Sequence, residues 1–233
     1  MKFLFLRAAA GVLTVYLGAT AARAQVFYLT SAGAGLYLRV GIGPSFFQEE
    51  RLIQFLGPAG NAVKFDTGLA ADVALGYAFN RYVAAEFQTG YVGADIHSAS
   101  GFDSDQSTLY NVPLLGNVTF SLPLPRSYVV PFVGAGAGGA VSGFDTSAFG
   151  PFGAGSPTVY GNETDTVLAW QAFAGLRLRL TPWMSFSVAY QYFATQNPTF
   201  SYPSAPPGGP NLNVGFDGPQ THSVMFLFQW RFW

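Results

Sequence analysis

The sequence predicts an all-β fold: a transmembrane antiparallel up-and-down β-barrel of eight strands with both termini periplasmic. Three observations predict it. The final strand alternates strictly, with Val224, Phe226, Phe228, Trp230 and Phe232 on one face and Ser223, Met225, Leu227, Gln229 and Arg231 on the other. A row of large apolar side chains opposite a mixed row suits a strand with lipid on one side and a lumen on the other. Charged residues make up only 10% of the chain while aromatics reach 17%. A soluble protein carries about 25% charged residues, so the imbalance points to a surface that meets hydrocarbon. Finally, alternating segments recur along the chain, joined by short and long connections in turn, which is the pattern of outer-membrane barrels.

The N-terminus reads as an export signal. Lys2 and Arg7 precede the uncharged run from Ala8 to Thr20, and Ala22-Arg23-Ala24 forms an A-x-A cleavage site before Gln25. The run is shorter than the ~20 apolar residues that a helical span requires. Residues 1–24 are therefore expected to be a cleaved signal peptide and residues 25–233 the barrel domain. Removing Lys2, Arg7 and Arg23 from the 11 basic residues leaves 8 against 12 acidic ones, a formal charge of −4. With no basic patch, nucleic acid is not expected as a partner. The chain has no cysteine, which removes disulfide scaffolds and thiolate metal sites.

The first strand is Leu36 to Pro44, with Leu36, Leu38, Val40 and Ile42 outward and Arg39, Gly41 and Gly43 inward. The second, Phe65 to Phe79, sets Phe65, Leu69, Val73, Leu75 and Phe79 toward lipid and Asp66, Asp72 and Gly76 inward. Asn80-Arg81 turns into the third, Tyr82 to Asp95, where Val83, Phe87 and Tyr91 oppose Glu86, Gln88 and Gly90. The fourth, Thr108 to Phe120, opposes Tyr110, Val112, Leu114 and Val118 to Asn111, Asn117 and Thr119. The fifth, Tyr128 to Gly143, has its phase blurred by the seven glycines and alanines from Gly134 to Ala140. The sixth, Asp165 to Leu180, sets Leu168, Trp170, Leu176 and Leu178 against Gln171, Gly175, Arg177 and Arg179. Thr181-Pro182-Trp183 leads to the seventh, with Phe186, Val188, Tyr190 and Tyr192 outward, and Thr221 to Trp233 closes the set. Period-2 alternation supports each assignment. Residues 47–63, 96–107, 144–164 and 194–220 are expected to be external loops. The last of these holds six prolines, a composition that resists regular structure.

The inward set contains Arg39, Arg177, Arg179 and Arg231 together with Asp66, Asp72 and Glu86. Inside a narrow barrel these charges are expected to pair and plug the lumen, because an unpaired buried charge is costly. The competing reading is a narrow conduction path. Gly134-Ala-Gly-Ala-Gly-Gly139 satisfies the G-x-G-x-x-G pattern, but no helix or βαβ unit follows it, so no dinucleotide or other cofactor is expected. The two histidines, His97 and His222, invite a hydrolase or metal reading. His222 and Ser223 are adjacent in a strand and point to opposite faces, and two histidines are thin grounds for a metal. The chain is not expected to be an enzyme. Aromatic residues near the strand ends, among them Trp183, Trp230, Tyr91 and Trp170, read as two interfacial girdles.

Two segments carry a resemblance. The first runs from Asn111-Val-Pro-Leu-Leu-Gly-Asn117 to Pro131-Phe-Val-Gly-Ala-Gly136. The second is Ala172-Phe-Ala-Gly-Leu-Arg177 with Leu180-Thr-Pro182 and Tyr190-Gln-Tyr192. Together they resemble the opacity-protein and porin-like eight-stranded outer-membrane barrels of proteobacteria, over nearly the whole mature chain. That resemblance implies a closing strand ending on an aromatic that the barrel-assembly machinery reads. Phe226, Phe228, Trp230 and Phe232 fit the signal, and Trp233 stands one residue beyond it. It also implies roles running from adhesion to envelope integrity, with no shared catalytic residues. No peptidoglycan-binding domain is expected to follow the barrel. Outer-membrane lipid, the assembly machinery and an external ligand or host surface are the expected partners. The functional expectation is an envelope-structural, adhesin-like barrel, with a small diffusion pore as the alternative and a lipid-modifying barrel enzyme third.

Overall fold

The computed structural model describes residues 34–55, 58–125, 127–151, 158–202 and 211–232. The expected signal peptide and Trp233 lie outside them. Twelve antiparallel strands follow in chain order: β1 (Gly35–Phe47), β2 (Glu50–Phe55), β3 (Pro58–Phe65), β4 (Gly68–Ala78), β5 (Val83–Ala99), β6 (Phe102–Ser121), β7 (Val129–Pro151), β8 (Val159–Arg179), β9 (Met184–Thr195), β10 (Thr199–Tyr202), β11 (Leu212–Phe216) and β12 (Gln220–Arg231). Eight of them close a barrel in the order β4–β1–β12–β9–β8–β7–β6–β5, with β5 returning to β4. Closure leaves no unpaired strand edge to face hydrocarbon. The chain therefore folds as the all-β up-and-down barrel its alternation predicts. The closing ladder sets Leu38 opposite Trp230 and Ile42 opposite Phe226.

The outer wall is apolar. Ile42, Leu75, Phe87, Leu114, Leu168 and Leu176 are exposed to the lipid side, while their sequence neighbours face the lumen. Trp183 and Trp230 pack with tilted rings 5.0 Å apart at the short-turn end of the barrel, and Trp170 and Tyr192 do so at the other end. This places indole and phenol rings at both levels where a membrane meets water.

The expected external loops contain strands instead. β5, β6, β7 and β8 are 17, 20, 23 and 21 residues long, whereas β1, β4, β9 and β12 have 13, 11, 12 and 12. Above the four short strands the vacant positions are taken by the hairpin β2–β3 and the hairpin β10–β11. β3 pairs the far half of β5, and β11 pairs β2. A second tier of eight strands thus stands on the first, in the order β10–β11–β2–β3–β5–β6–β7–β8. The Pro-rich stretch 194–220 contributes β10 and β11 to it, so part of it is regular; residues 203–210, with four of the six prolines, lie outside the described residues.

The interior of this tier is an apolar core. Leu52, Val63, Leu109, Phe144, Phe149 and Phe216 are all fully buried in it. Phe144 sits at its centre, 5.2 Å from the Phe216 ring and 5.3 Å from that of Phe149, and its carbonyl accepts a hydrogen bond from Tyr202 at 2.6 Å. Phe65, expected on the lipid face, instead packs against this core, with its ring 5.1 Å from that of Phe47. The expected second strand is two elements, because β3 ends at Phe65 and β4 begins at Gly68.

The blurred fifth strand is resolved by packing. Gly134, Gly136 and Gly138 point inward and Val133, Ala135 and Ala137 outward. A Cβ on Gly134 would strike the Phe173 ring, and one on Gly136 would overlap the Asn117 amide and come within 2.7 Å of the Gly116 carbonyl. The glycines are what lets the lumen hold large neighbours. Gly136→Ala is expected to destabilise the refolded barrel by about 1–3 kcal/mol, the usual cost of overpacking, in urea titrations followed by tryptophan fluorescence. Ala135→Gly, on the outer face, should cost less than half as much.

Candidate functional site

Below the apolar tier the lumen is crossed by a polar network. On β1, Tyr37 and Arg39 share the inward face. Gly76 leaves space for the Tyr37 ring and Gly41 leaves space beside the Asp72 carboxylate, where a Cβ would come within 3.1 Å of both oxygens. Arg39 Nη1 donates to Asp72 Oδ1 at 3.2 Å on the adjacent β4. Its Nη2 donates to Glu86 Oε2 at 2.9 Å on β5, two strands away. The Tyr37 hydroxyl donates to the other Glu86 oxygen at 2.6 Å. The side chains of Arg39, Asp72 and Glu86 are no more than 8% exposed.

From there the network becomes neutral. Gln88 Oε1 accepts from Arg39 at 3.3 Å, from Asn117 at 2.7 Å and from Gln171 at 2.6 Å. Gln171 also donates to Asn117 Oδ1 at 2.8 Å and accepts from Gln191 at 2.8 Å. Six of the eight barrel strands contribute. β7 contributes the glycines that make room, and β12 contributes the buried Met225 and Leu227 that pack beside the network. At this level the members of the network bond one another and their side chains fill the lumen. Tyr37, Gln88, Asn117, Gln171 and Gln191 were not singled out from the sequence as members. Their inward phase was the available signal, but the pairing across the lumen was not.

The remaining sequence-predicted charges lie elsewhere. Asp66 does not belong to the lumen: it follows the end of β3, is exposed, and bonds His97 Nδ1 at 3.0 Å. Arg177, Arg179 and Arg231 form no ion pair among the described residues. They line a cavity of about 670 Å³ at the short-turn end of the barrel. His222 lies half-buried on the outer wall, where Gln48 donates to its Nε2 at 2.6 Å and its Nδ1 bonds the Tyr190 hydroxyl. Ser223 is buried on the opposite, lumen side. Among the described residues no three His, Asp or Glu side chains come together as a metal site. On the closing strand, Phe226, Trp230 and Phe232 are 45%, 45% and 46% exposed and Phe228 is partly exposed.

One further ionisable group is held in the upper tier. Glu50 on β2 is buried and accepts the Gln220 backbone N–H at 2.9 Å. Burial pushes its pKa up to about 7; the Asp217 charge adds to the rise and the Gln220 hydrogen bond opposes it. A carboxyl with a folded-state pKa above its unfolded value stabilises fully below the unfolded value and loses that contribution as pH rises through the folded one. The β2–β11 contact is therefore expected to loosen between about pH 5 and pH 8. Hydrogen exchange at residues 50–55 should accelerate over that window beyond the intrinsic base-catalysed rise, and Glu50→Gln should remove the excess.

Comparison with known proteins agrees with this architecture. Residues 10–232 match the family described as outer membrane protein beta-barrel domain. Neisserial surface protein A shares 15% identity with a TM-score of 0.53, covering 86% of this chain and 99% of that one. The outer membrane protein OprG of Pseudomonas aeruginosa shares 14% with a TM-score of 0.54, covering 86% and 98%. Outer membrane protein AlkL, solved in lipid bilayers, shares 17% with a TM-score of 0.50, covering 87% and 93%. At these identities the likeness is one of fold. No curated protein matches the chain.

Proposed function

This chain belongs to the outer membrane protein β-barrel domain family, and from that premise we propose that it is a plugged, non-enzymatic barrel that works at its surface. It is an outer-membrane protein, and its wall provides the anchorage. The proposed role is to hold the β-structured tier above the membrane and present it to an external ligand or host surface, as an adhesin does. In this reading the tier is external and both chain ends are periplasmic, since outer-membrane barrels place their short turns on the periplasmic side. Protease added to intact cells, with cleavage sought in residues 203–210 rather than at Asn80-Arg81, checks that orientation. The aromatic row Phe226, Phe228, Trp230 and Phe232, with Trp233, would serve as the signal for the barrel-assembly machinery.

The observation that carries the reading is the Arg39 network, which runs across the lumen from β1 to β9. The pore alternative draws on the arginine-lined cavity, but above that cavity the lumen narrows to a void of about 10 Å³ beside Arg39, Glu86 and Phe132. Such a void holds roughly one water molecule. The refolded protein in a planar bilayer is expected to show baseline conductance. Large, steady channel openings would replace the scaffold with a pore.

A further inference from the structure

The cavity at the short-turn end is chemically one-sided. Arg81, Arg177, Arg179 and Arg231 line it, and none of the described lining residues is acidic. Its walls otherwise present Tyr37, the short turns 80–82 and 123–125, and Trp183. Among the described residues the four inward arginines predicted from sequence face two carboxylates in the lumen, Asp72 and Glu86, and Arg39 engages both. The second oxygen of Glu86 is taken by Tyr37. Arg177 therefore has no carboxylate of its own. Its guanidinium lies 4.9 Å from the Phe132 ring centroid, and its buried Nε–H has no hydrogen-bond partner among the described residues.

Like charges are gathered around a recess at the mouth of the barrel, and one of them, the partly buried Arg177, has a buried donor that is unmet among the described residues. A protein normally avoids this arrangement unless an anion completes it. We propose that this vestibule is a binding site for a small soluble oxyanion bearing two or more phosphate or carboxylate groups, held between Arg177, Arg179 and Arg231. Guanidinium forks match such oxygens two at a time. A volume of about 670 Å³ falls in the range of small-molecule sites. The source is a soluble anion rather than a lipid headgroup, because the closed wall separates the arginines from the bilayer. The site is blind, because the Arg39 network closes the lumen above it, so it retains its ligand rather than passing it on. It is distinct from the surface role proposed above and stands whether or not that role holds.

The test uses the full mature protein refolded in an uncharged sugar detergent and titrated calorimetrically with inorganic pyrophosphate. Saturable binding is expected, at least about tenfold tighter than for inorganic phosphate and weakening as salt is added. Arg177→Gln and Arg231→Gln should each weaken it about tenfold or more, while Arg51→Gln, on the exposed side of β2, should leave it unchanged. Should the lumen variants fail to fold, phenylglyoxal labelling of the unmutated protein answers the same question. Pyrophosphate should then protect the arginines of the vestibule and not Arg51, read peptide by peptide by mass spectrometry. Equal affinity for phosphate and pyrophosphate, equal protection of Arg51, or binding that appears only when anionic lipid is added to the micelles would each overturn the proposal.

Discussion

Arg39→Ala is expected to destabilise the barrel more than any other single substitution in the lumen. Among the described residues the guanidinium is the one cation that touches both Asp72 and Glu86, so its removal strands two buried carboxylates together. Removing one partner of a buried pair typically costs about 3–5 kcal/mol, and here two anions also come to repel each other. Urea unfolding of the refolded protein at neutral pH should show that loss. Tyr37→Phe removes one hydrogen bond to Glu86 and should cost about 1.5–3 kcal/mol, as bonds to charged groups do. Replacing Arg39, Asp72 and Glu86 together by Met, Leu and Met should recover most of the stability, because the penalty lies in the unpaired charge. If Arg39→Ala proves as mild as Tyr37→Phe, the network does not hold the barrel shut.

Phe226→Arg should be the most damaging change on the outer wall. Phe226 pairs Ile42 on one side and Val188 on the other, both exposed and apolar, near the middle of the wall. An arginine at the bilayer midplane of such a barrel costs about 2–4 kcal/mol. Phe226→Leu keeps the face apolar and should cost less than 1.5 kcal/mol. Folding yields into lipid vesicles, read by heat-modifiable gel mobility, should fall for the arginine variant and stay near the unmutated level for the leucine one. Equal yields would mean that this face does not meet hydrocarbon.

Within the membrane tier the sequence was readable because a strand with lipid on one side carries its burial in a period of two. Leu168, Trp170, Leu176 and Leu178 against Gln171, Arg177 and Arg179 is such a record, and β8 obeys it. Legibility ended where the period broke. The ladders of β2, β3, β5, β7 and β11 shift register in the upper tier, between Leu52 and Gln54, Lys64 and Phe65, Asp95 and Ala99, Thr146 and Phe149, and Gly215 and Phe216. A bulge can move the following side chains to the other face, and an alternation carried from β4 back across the break at residues 66–67 misassigns Phe65 and Asp66. The seven-residue glycine and alanine run hid its phase for a different reason: small side chains look alike on both faces. Adjacent strands let Arg39 reach Asp72, and that pair forms, but the second anion that Arg39 meets was not legible. Arg39 and Glu86 stand on β1 and β5, and only the closed ladder brings them together across β4. The sequence could place four arginines inward, but it could not show that three of them would gather at one end without partners.

The two tiers differ in interior chemistry: the upper one encloses a large aromatic core, and the lower one carries the buried charge and amide network beside two smaller apolar clusters. They should therefore answer temperature differently. Unfolding the upper tier exposes Phe144, Phe149, Phe200 and Phe216 to water, and apolar exposure carries a large positive heat-capacity change. The smaller apolar clusters and the polar network of the lower tier contribute less of that kind, and its outer wall exchanges lipid for lipid until the barrel itself leaves the bilayer. The calorimetric curvature of the whole protein then belongs mainly to the upper tier. Its hold weakens on cooling as well as on heating, while the arginine-locked barrel beneath is comparatively indifferent to cold. A bacterium growing at low temperature would keep its anchor and loosen its display.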